Sequence, residues 1–247
     1  MNPNHFLSKA FRTLSLLLAL GISLTACAKG DTNWKEQVLL HDGSKIVVER
    51  SQSYGGRHEV GQSSPIKEQE ITFTLPKTGK TVTFKSEYSE DIGRANFQLL
   101  ALHILNDTPY IVAMPNLCLS FNKWGRPNPP YVFFKHDGKA WQRITLAEFP
   151  KEFQNINLVI DTKDEERNLV TQQVVSAEGV KQINSSLLRY PNEHAEFKTI
   201  LREALPKERI NQMCMEMVPY KGSWVMPNDP IARKFIDSQK NRTGQSN

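Results

Sequence analysis

The chain is expected to fold as an α+β protein, mainly β, with an antiparallel hairpin or meander sheet covered by two C-terminal helices. Three observations carry that expectation. Between residues 34 and 145 apolar residues recur in short runs, several alternating with polar ones, and the runs are divided by turns rich in Gly, Asn, Asp and Pro. From Ser176 the apolar spacing lengthens from two residues to three and four. At 247 residues, with 39% apolar and 23% charged side chains, the chain is long enough for one domain of about 200 residues with its own core.

The elements follow in order. Residues 34–41 and 46–50 flank Asp42-Gly43, whose two central residues accept positive φ and so favour a tight hairpin. Ile71, Phe73 and Leu75 alternate with Thr72 and Thr74, and Pro76-Lys77-Thr78-Gly79 turns the chain into Val82 and Phe84. A third hairpin joins residues 97–105 to 110–114 through Asn106-Asp107-Thr108-Pro109. Its first arm is almost continuously apolar, as in a central strand covered on both faces; a buried helix is the other reading of such a run. The fourth hairpin pairs residues 131–135 with 140–145 around His136-Asp137-Gly138. The four are too dissimilar to form an internal repeat. After Phe149-Pro150 the pattern predicts a short strand over 157–161, a charged turn at Lys163-Asp164-Glu165-Glu166-Arg167, and a helix capped by Ser176 whose Val180, Ile183 and Leu187 share a face before Pro191. A second helix is expected between Pro191 and Pro206, with Phe197, Ile200, Leu201 and Leu205 on one face.

The N-terminus carries the clearest address. Lys9 and Arg12 precede an apolar run of residues 14–24, too short to cross a hydrocarbon core of about 30 Å. Leu24-Thr25-Ala26-Cys27 follows directly. These four residues resemble the lipobox of bacterial lipoproteins, which implies cleavage before Cys27, acylation of its thiol, and stable anchoring by two or three acyl chains. An ordinary secretory signal is the alternative. Ala28 in place of aspartate implies, by the same resemblance, sorting to the periplasmic face of the outer membrane. The expected organisation is a signal peptide over 1–26, a lipid-anchored tether over 27–33, a single globular domain over 34–239 and a disordered tail over 240–247.

Loss of Lys9 and Arg12 with the signal lowers the formal charge from +5 by two, to +3. That excess is spread along the chain with no basic run, so nucleic acid is not an expected partner. The membrane, through the anchor, is expected, as is an envelope protein or a glycan. Cys118 and Cys214 form the remaining even pair, which in an oxidising compartment reads as a disulfide closing a loop of about 96 residues and contributing on the order of 4 kcal/mol; two buried free thiols are the other reading.

Two stretches stand out as contact surfaces. Residues 51–68 form a long polar segment containing Tyr54, Arg57 and His58, and loops beyond about 12–15 residues are most often functional or mobile. Asn122-Lys123-Trp124-Gly125-Arg126-Pro127-Asn128-Pro129-Pro130-Tyr131 is stiffened by proline and offers Trp124, Arg126 and Tyr131 for stacking and planar hydrogen bonding; a rigid connector with its tryptophan tucked into the core is the plainer reading.

Catalytic signatures are sparse. His58-Glu59 lacks the second histidine of a zinc-protease helix, and neither a GxSxG elbow nor a phosphate-binding glycine loop occurs. No cofactor and no metal site is expected; the acidic residues Asp161, Asp164, Glu165 and Glu166 lack the spacing and glycine of a calcium loop. Residues 34–150, notably Asp42-Gly43-Ser44-Lys45-Ile46-Val47-Val48-Glu49-Arg50 and residues 123–132, resemble a family of uncharacterised exported proteobacterial proteins, which implies a Gram-negative envelope and no particular activity. A non-enzymatic binding or protective role in the envelope is expected. The alternative is a hydrolase whose site is assembled from distant residues, such as His58 and Glu59 with a carboxylate from elsewhere.

Overall fold

In the computed structural model, which describes residues 31–160, 166–185 and 195–243, the fold is mainly β with antiparallel sheets and a few helices. The signal peptide, Cys27, most of the charged turn at 163–167, Leu187 and Pro191 lie outside the described residues. The described residues fall in one compact unit that begins at Asp31.

Strands β1 (Thr32–Leu39), β2 (Lys45–Tyr54), β3 (Ile66–Thr74) and β4 (Thr81–Ser86) make one antiparallel meander in the order β1-β2-β3-β4. The first turn sits where Asp42-Gly43 places it: Gly43 has φ +83°, and the Leu40 amide donates to the Ser44 carbonyl at 2.8 Å. A two-residue ladder, β5 (Tyr88–Ser89) with β6 (Arg94–Ala95), leads to the second meander. This comprises β7 (Phe97–Leu105), β8 (Thr108–Pro115), then, beyond helix α1 (Leu117–Lys123), β9 (Val132–His136) and β10 (Trp141–Ile144), in the order β10-β9-β8-β7. The turn between β7 and β8 is tighter than the sequence suggests. Asn106 and Asp107, at φ 50° and 63°, make it alone, and Thr108 and Pro109 already belong to β8.

The sheets pack face to face. Val48, Ile71, Phe73 and Phe84 from the first meet Leu99, Leu102, Ile111 and Phe134 from the second in one buried cluster, with the Phe84 and Phe134 rings 5.0 Å apart. The second sheet is buried on its other face as well, where Leu100, Tyr110, Val112 and Phe133 pack against Phe149, Phe153 and Ile200. A bulge between Leu99 and Ala101 lets Leu100 and Ala101 both reach that outer layer. The near-continuous apolar run of β7 thus reflects cover on both faces, as expected, although β7 is last in its sheet rather than central. Its free edge is closed by a side chain: Asn157 donates to the Leu102 carbonyl (2.8 Å) and accepts from the Leu102 amide (2.9 Å), while the Leu158 amide donates to the Leu100 carbonyl (3.1 Å). The strand expected over 157–161 is therefore an irregular edge seal as far as Ile160.

The helical part differs in placement. Helices α2 (Glu166–Thr171) and α3 (Ala177–Ser185) pack beside β1, where Val175 bridges to Lys35 and Gln37 and a small cluster gathers Trp34, Val159, Leu169 and Val180. The Ser176 hydroxyl accepts from the Gly179 amide at 3.1 Å, the cap its position predicts. Where the helix between Pro191 and Pro206 is expected, the described residues from Ala195 on form only a 3-10 turn, Ala195–Phe197. Beyond it, the Ile200 amide donates to Gln154, and the Arg202 guanidinium collects the carbonyls of Phe149, Pro150 and Phe153. Those tertiary hydrogen bonds replace the i→i−4 ladder while Phe197, Ile200 and Leu201 still reach one apolar layer. Helix α4 (Lys207–Met213), the hairpin β11 (Val218–Tyr220) with β12 (Ser223–Val225), and helix α5 (Pro230–Thr243) complete the chain. Strand β1 takes the last two residues of the expected tether, and α5 takes the first residues of the expected tail.

Candidate functional site

The first predicted contact loop is shorter than the sequence implies, because β2 extends to Tyr54 and β3 begins at Ile66. Tyr54 is half-buried, its hydroxyl 3.3 Å from that of Thr32 and 3.4 Å from the Gln52 side-chain oxygen. Arg57 is spent on docking the loop: its amide donates to the Gly93 carbonyl (2.9 Å) and its guanidinium to the Glu90 carbonyl (3.0 Å). Gly56 makes this approach possible, since a Cβ there would collide with the Gly93 carbonyl. His58 is exposed and donates from Nδ1 to the Gly56 carbonyl at 2.9 Å, whereas Glu59 accepts from Gln62.

The proline-rich stretch is a connector. Trp124 packs on Phe97 with ring centroids 4.5 Å apart, and its indole N–H donates to Asn96. Arg126 reaches Asn122 (3.1 Å) and Asn211 (2.9 Å), tying α1 to α4. Tyr131 is buried in the outer layer of the second sheet, donates to the Glu196 carbonyl at 2.8 Å, and has its hydroxyl pKa pushed up by desolvation. Of the six predicted contact residues, these three serve the scaffold, and the structure does not bring Tyr54, Arg57 and His58 together with them into one site.

What the two loops brace is a cleft that no local sequence pattern announces. Helix α1 forms one wall and α4 the other, the disulfide pair Cys118–Cys214 joins them with a Cα–Cα distance of 5.1 Å, and the start of β7, the end of β8 and the β5–β6 turn close the floor and one end. Its volume is about 770 Å³, within the range of about 300–1,000 Å³ usual for small-molecule sites. The lining is mostly apolar, including Ile92, Met114, Leu119, Phe197 and Met213. Leu117 stands at α1's first position, 61% exposed and at φ 61°. A left-handed leucine costs on the order of 1–3 kcal/mol and is over-represented where the chain has a functional reason to hold it.

Three charged side chains enter this apolar surface. Glu196 is buried at the cleft wall and faces Arg209 at 3.7 Å, so these two balance one another. Arg94, on β6, is different: among the described residues its guanidinium has no hydrogen-bond or ion-pair partner. The residues forming the cleft come from four separated stretches, 92–98, 114–121, 196–197 and 209–214, which is why spacing along the chain does not reveal it. The nearest signal was the cysteine pair.

Two serine–lysine spacings also occur, Ser64-Pro65-Ile66-Lys67 and Ser120-Phe121-Asn122-Lys123. The second lies on α1, but Ser120 is fully buried and donates to the Asn96 carbonyl, while Lys123 pairs with Asp91 at 2.7 Å. No group of three or more His, Cys, Asp or Glu side chains among the described residues is placed to hold a metal ion, and no described helix is long and apolar enough to cross a membrane.

Fold and cleft together define a mainly β protein with two packed four-stranded sheets and a disulfide-spanned apolar pocket. Comparison with protein-family models, curated proteins and solved structures finds no match for this chain, so its functional reading rests on its own geometry.

Proposed function

We propose that the chain is a lipid-anchored protein of the bacterial envelope that acts by binding, with Cys27 carrying the anchor and the cleft between α1 and α4 receiving a small apolar or amphiphilic ligand of that compartment. The cleft is the single observation that carries the binding role. It is large and apolar, its mouth exposes a leucine held in a costly backbone conformation, and both walls are fixed by one covalent link, features that favour a preorganised site over a gap in packing. The Leu24-Thr25-Ala26-Cys27 motif supports anchoring and Ala28 supports the outer membrane. The disulfide pair accords with an oxidising compartment.

Two experiments test the two halves. Cys27→Ser should move the protein out of the membrane fraction or leave an unprocessed precursor; unchanged membrane retention defeats the anchor. For the cleft, a neutral photoactivatable long-chain alcohol added to envelopes holding the full-length protein should label peptides of α1 and α4. Leu119→Trp, which fills the pocket, should abolish that labelling. Leu117→Asn should weaken it without loss of stability, because asparagine tolerates the left-handed conformation better than leucine. Labelling indifferent to both substitutions removes the cleft as the binding site.

A further inference from the structure

We infer that the ligand of the cleft is a long-chain fatty carboxylate, held with its chain against the apolar lining and its carboxylate on Arg94. This assignment rests on the binding role proposed above and names its substrate class. Within the cleft the two arginines differ in what they can still do. Arg209 faces the buried Glu196 at 3.7 Å, so its charge is already answered by the protein. Arg94 lines the same apolar surface, and no described residue answers its guanidinium.

An unanswered guanidinium beside an apolar surface selects for an amphiphile. The planar fork matches a carboxylate with two parallel hydrogen bonds, and each gains strength where apolar walls thin the surrounding water. Among the described lining residues Arg94 is the one cation without a protein partner, and that sets the head-group charge. A fatty carboxylate brings one negative charge, which Arg94 balances. A phosphate monoester brings about −1.5 to −2 at neutral pH and calls for a second cation, which Glu196 has already engaged. The backbone under Arg94 is firmly placed. Strand β6 pairs Arg94 with Ser89 across a two-residue ladder, and the turn between them is pinned from behind by Arg57 on the carbonyls of Glu90 and Gly93. The predicted contact loop thus supports the turn that carries Arg94.

The test compares three photoactivatable probes of equal chain length, a fatty acid, a fatty alcohol and an alkyl phosphate, on full-length protein in its own envelope, with cross-linked peptides mapped by mass spectrometry. The acid should label α1 and α4 peptides about tenfold more strongly than the alcohol, the ratio that about 1.4 kcal/mol of charge-assisted hydrogen bonding supplies. Arg94→Gln should erase that advantage while the thermal midpoint stays unchanged, and Arg94→Lys should restore part of it. Equal labelling by acid and alcohol, unaffected by Arg94→Gln, overturns the carboxylate while the apolar binding role stands. Preference for the alkyl phosphate overturns the head-group assignment alone. Absence of cleft labelling by every probe overturns both readings.

Discussion

On the outer face of the first sheet, Thr81, Thr83 and Lys85 of β4 are exposed, whereas the equivalent layer of the second sheet, Tyr110 and Val112 of β8 and Phe133 of β9, is buried under Phe149, Phe153 and Ile200. Both sheets are four-stranded antiparallel meanders built from two tight hairpins each, so hairpin chemistry is not what separates them. The difference lies in what the rest of the chain lays over them. It leaves the first sheet with one dry face and makes the second the middle layer of the molecule. The first sheet also carries a polar interior at the β1–β2 end. Glu36 accepts from the Arg50 guanidinium (2.8 Å), the Trp34 indole (2.7 Å) and the Val159 amide (3.3 Å), with Glu36 and Arg50 no more than 2% exposed. A buried ion pair of this kind adds little net stability, but losing one partner leaves the other charge stranded.

The largest test of that contrast is therefore Glu36→Ala. It should cost about 3–5 kcal/mol in urea unfolding, while Glu36→Met combined with Arg50→Met recovers most of the loss; a double variant as unstable as the single one would mean that the pair contributes net stability of its own. Next comes Leu100→Ala in the outer layer of the second sheet, expected to cost about 2–5 kcal/mol because a buried cavity is left behind. A loss below about 1 kcal/mol would show that this layer can collapse and is not a true second core.

A pH effect should also arise in the second sheet. His103 of β7 is fully buried, stacks on Phe153 at 4.6 Å and donates from Nε2 to the Asn155 carbonyl at 2.9 Å. Desolvation pulls its pKa from 6.5 down to about 4. The folded protein therefore keeps the ring neutral below pH 6.5 while the unfolded chain takes up a proton. The contribution of His103 is complete above about pH 6.5 and declines as the pH falls towards 4, by up to about 1.4 kcal/mol per unit. His103→Phe should flatten that part of the stability–pH curve, and an unchanged curve would remove the histidine as its source. The smallest effect is expected on the solvated face of the first sheet. Thr72→Ala breaks the 2.8 Å hydroxyl contact with Thr83 across β3 and β4 and should cost about 0.2–1 kcal/mol.

The four hairpins, the Ser176 cap and the cysteine pairing were legible because each depends on neighbours in sequence or on simple counting. Turn chemistry at Asp42-Gly43 and Pro76 to Gly79 acts within four residues, and the apolar run of β7 announces cover on both faces wherever that cover comes from. The contact residues were less legible. Trp124, Arg126 and Tyr131 have the composition of a recognition loop, yet they are consumed by Asn96, Asn122, Asn211 and the Glu196 carbonyl, partners that no local pattern specifies.

Sequence alone determined the mainly β class, the positions of the hairpins and the apolar alternation, since backbone φ preferences and side-chain period are local properties. Tertiary structure decided the rest. It turned the described part of the helix expected between Pro191 and Pro206 into an irregular cover, because carbonyls at 149–154 offered its donors and Arg202 better partners than its own backbone. It placed Arg94, without a partner among the described residues, beside an apolar cleft, because burial and charge pairing depend on segments more than a hundred residues apart in the chain.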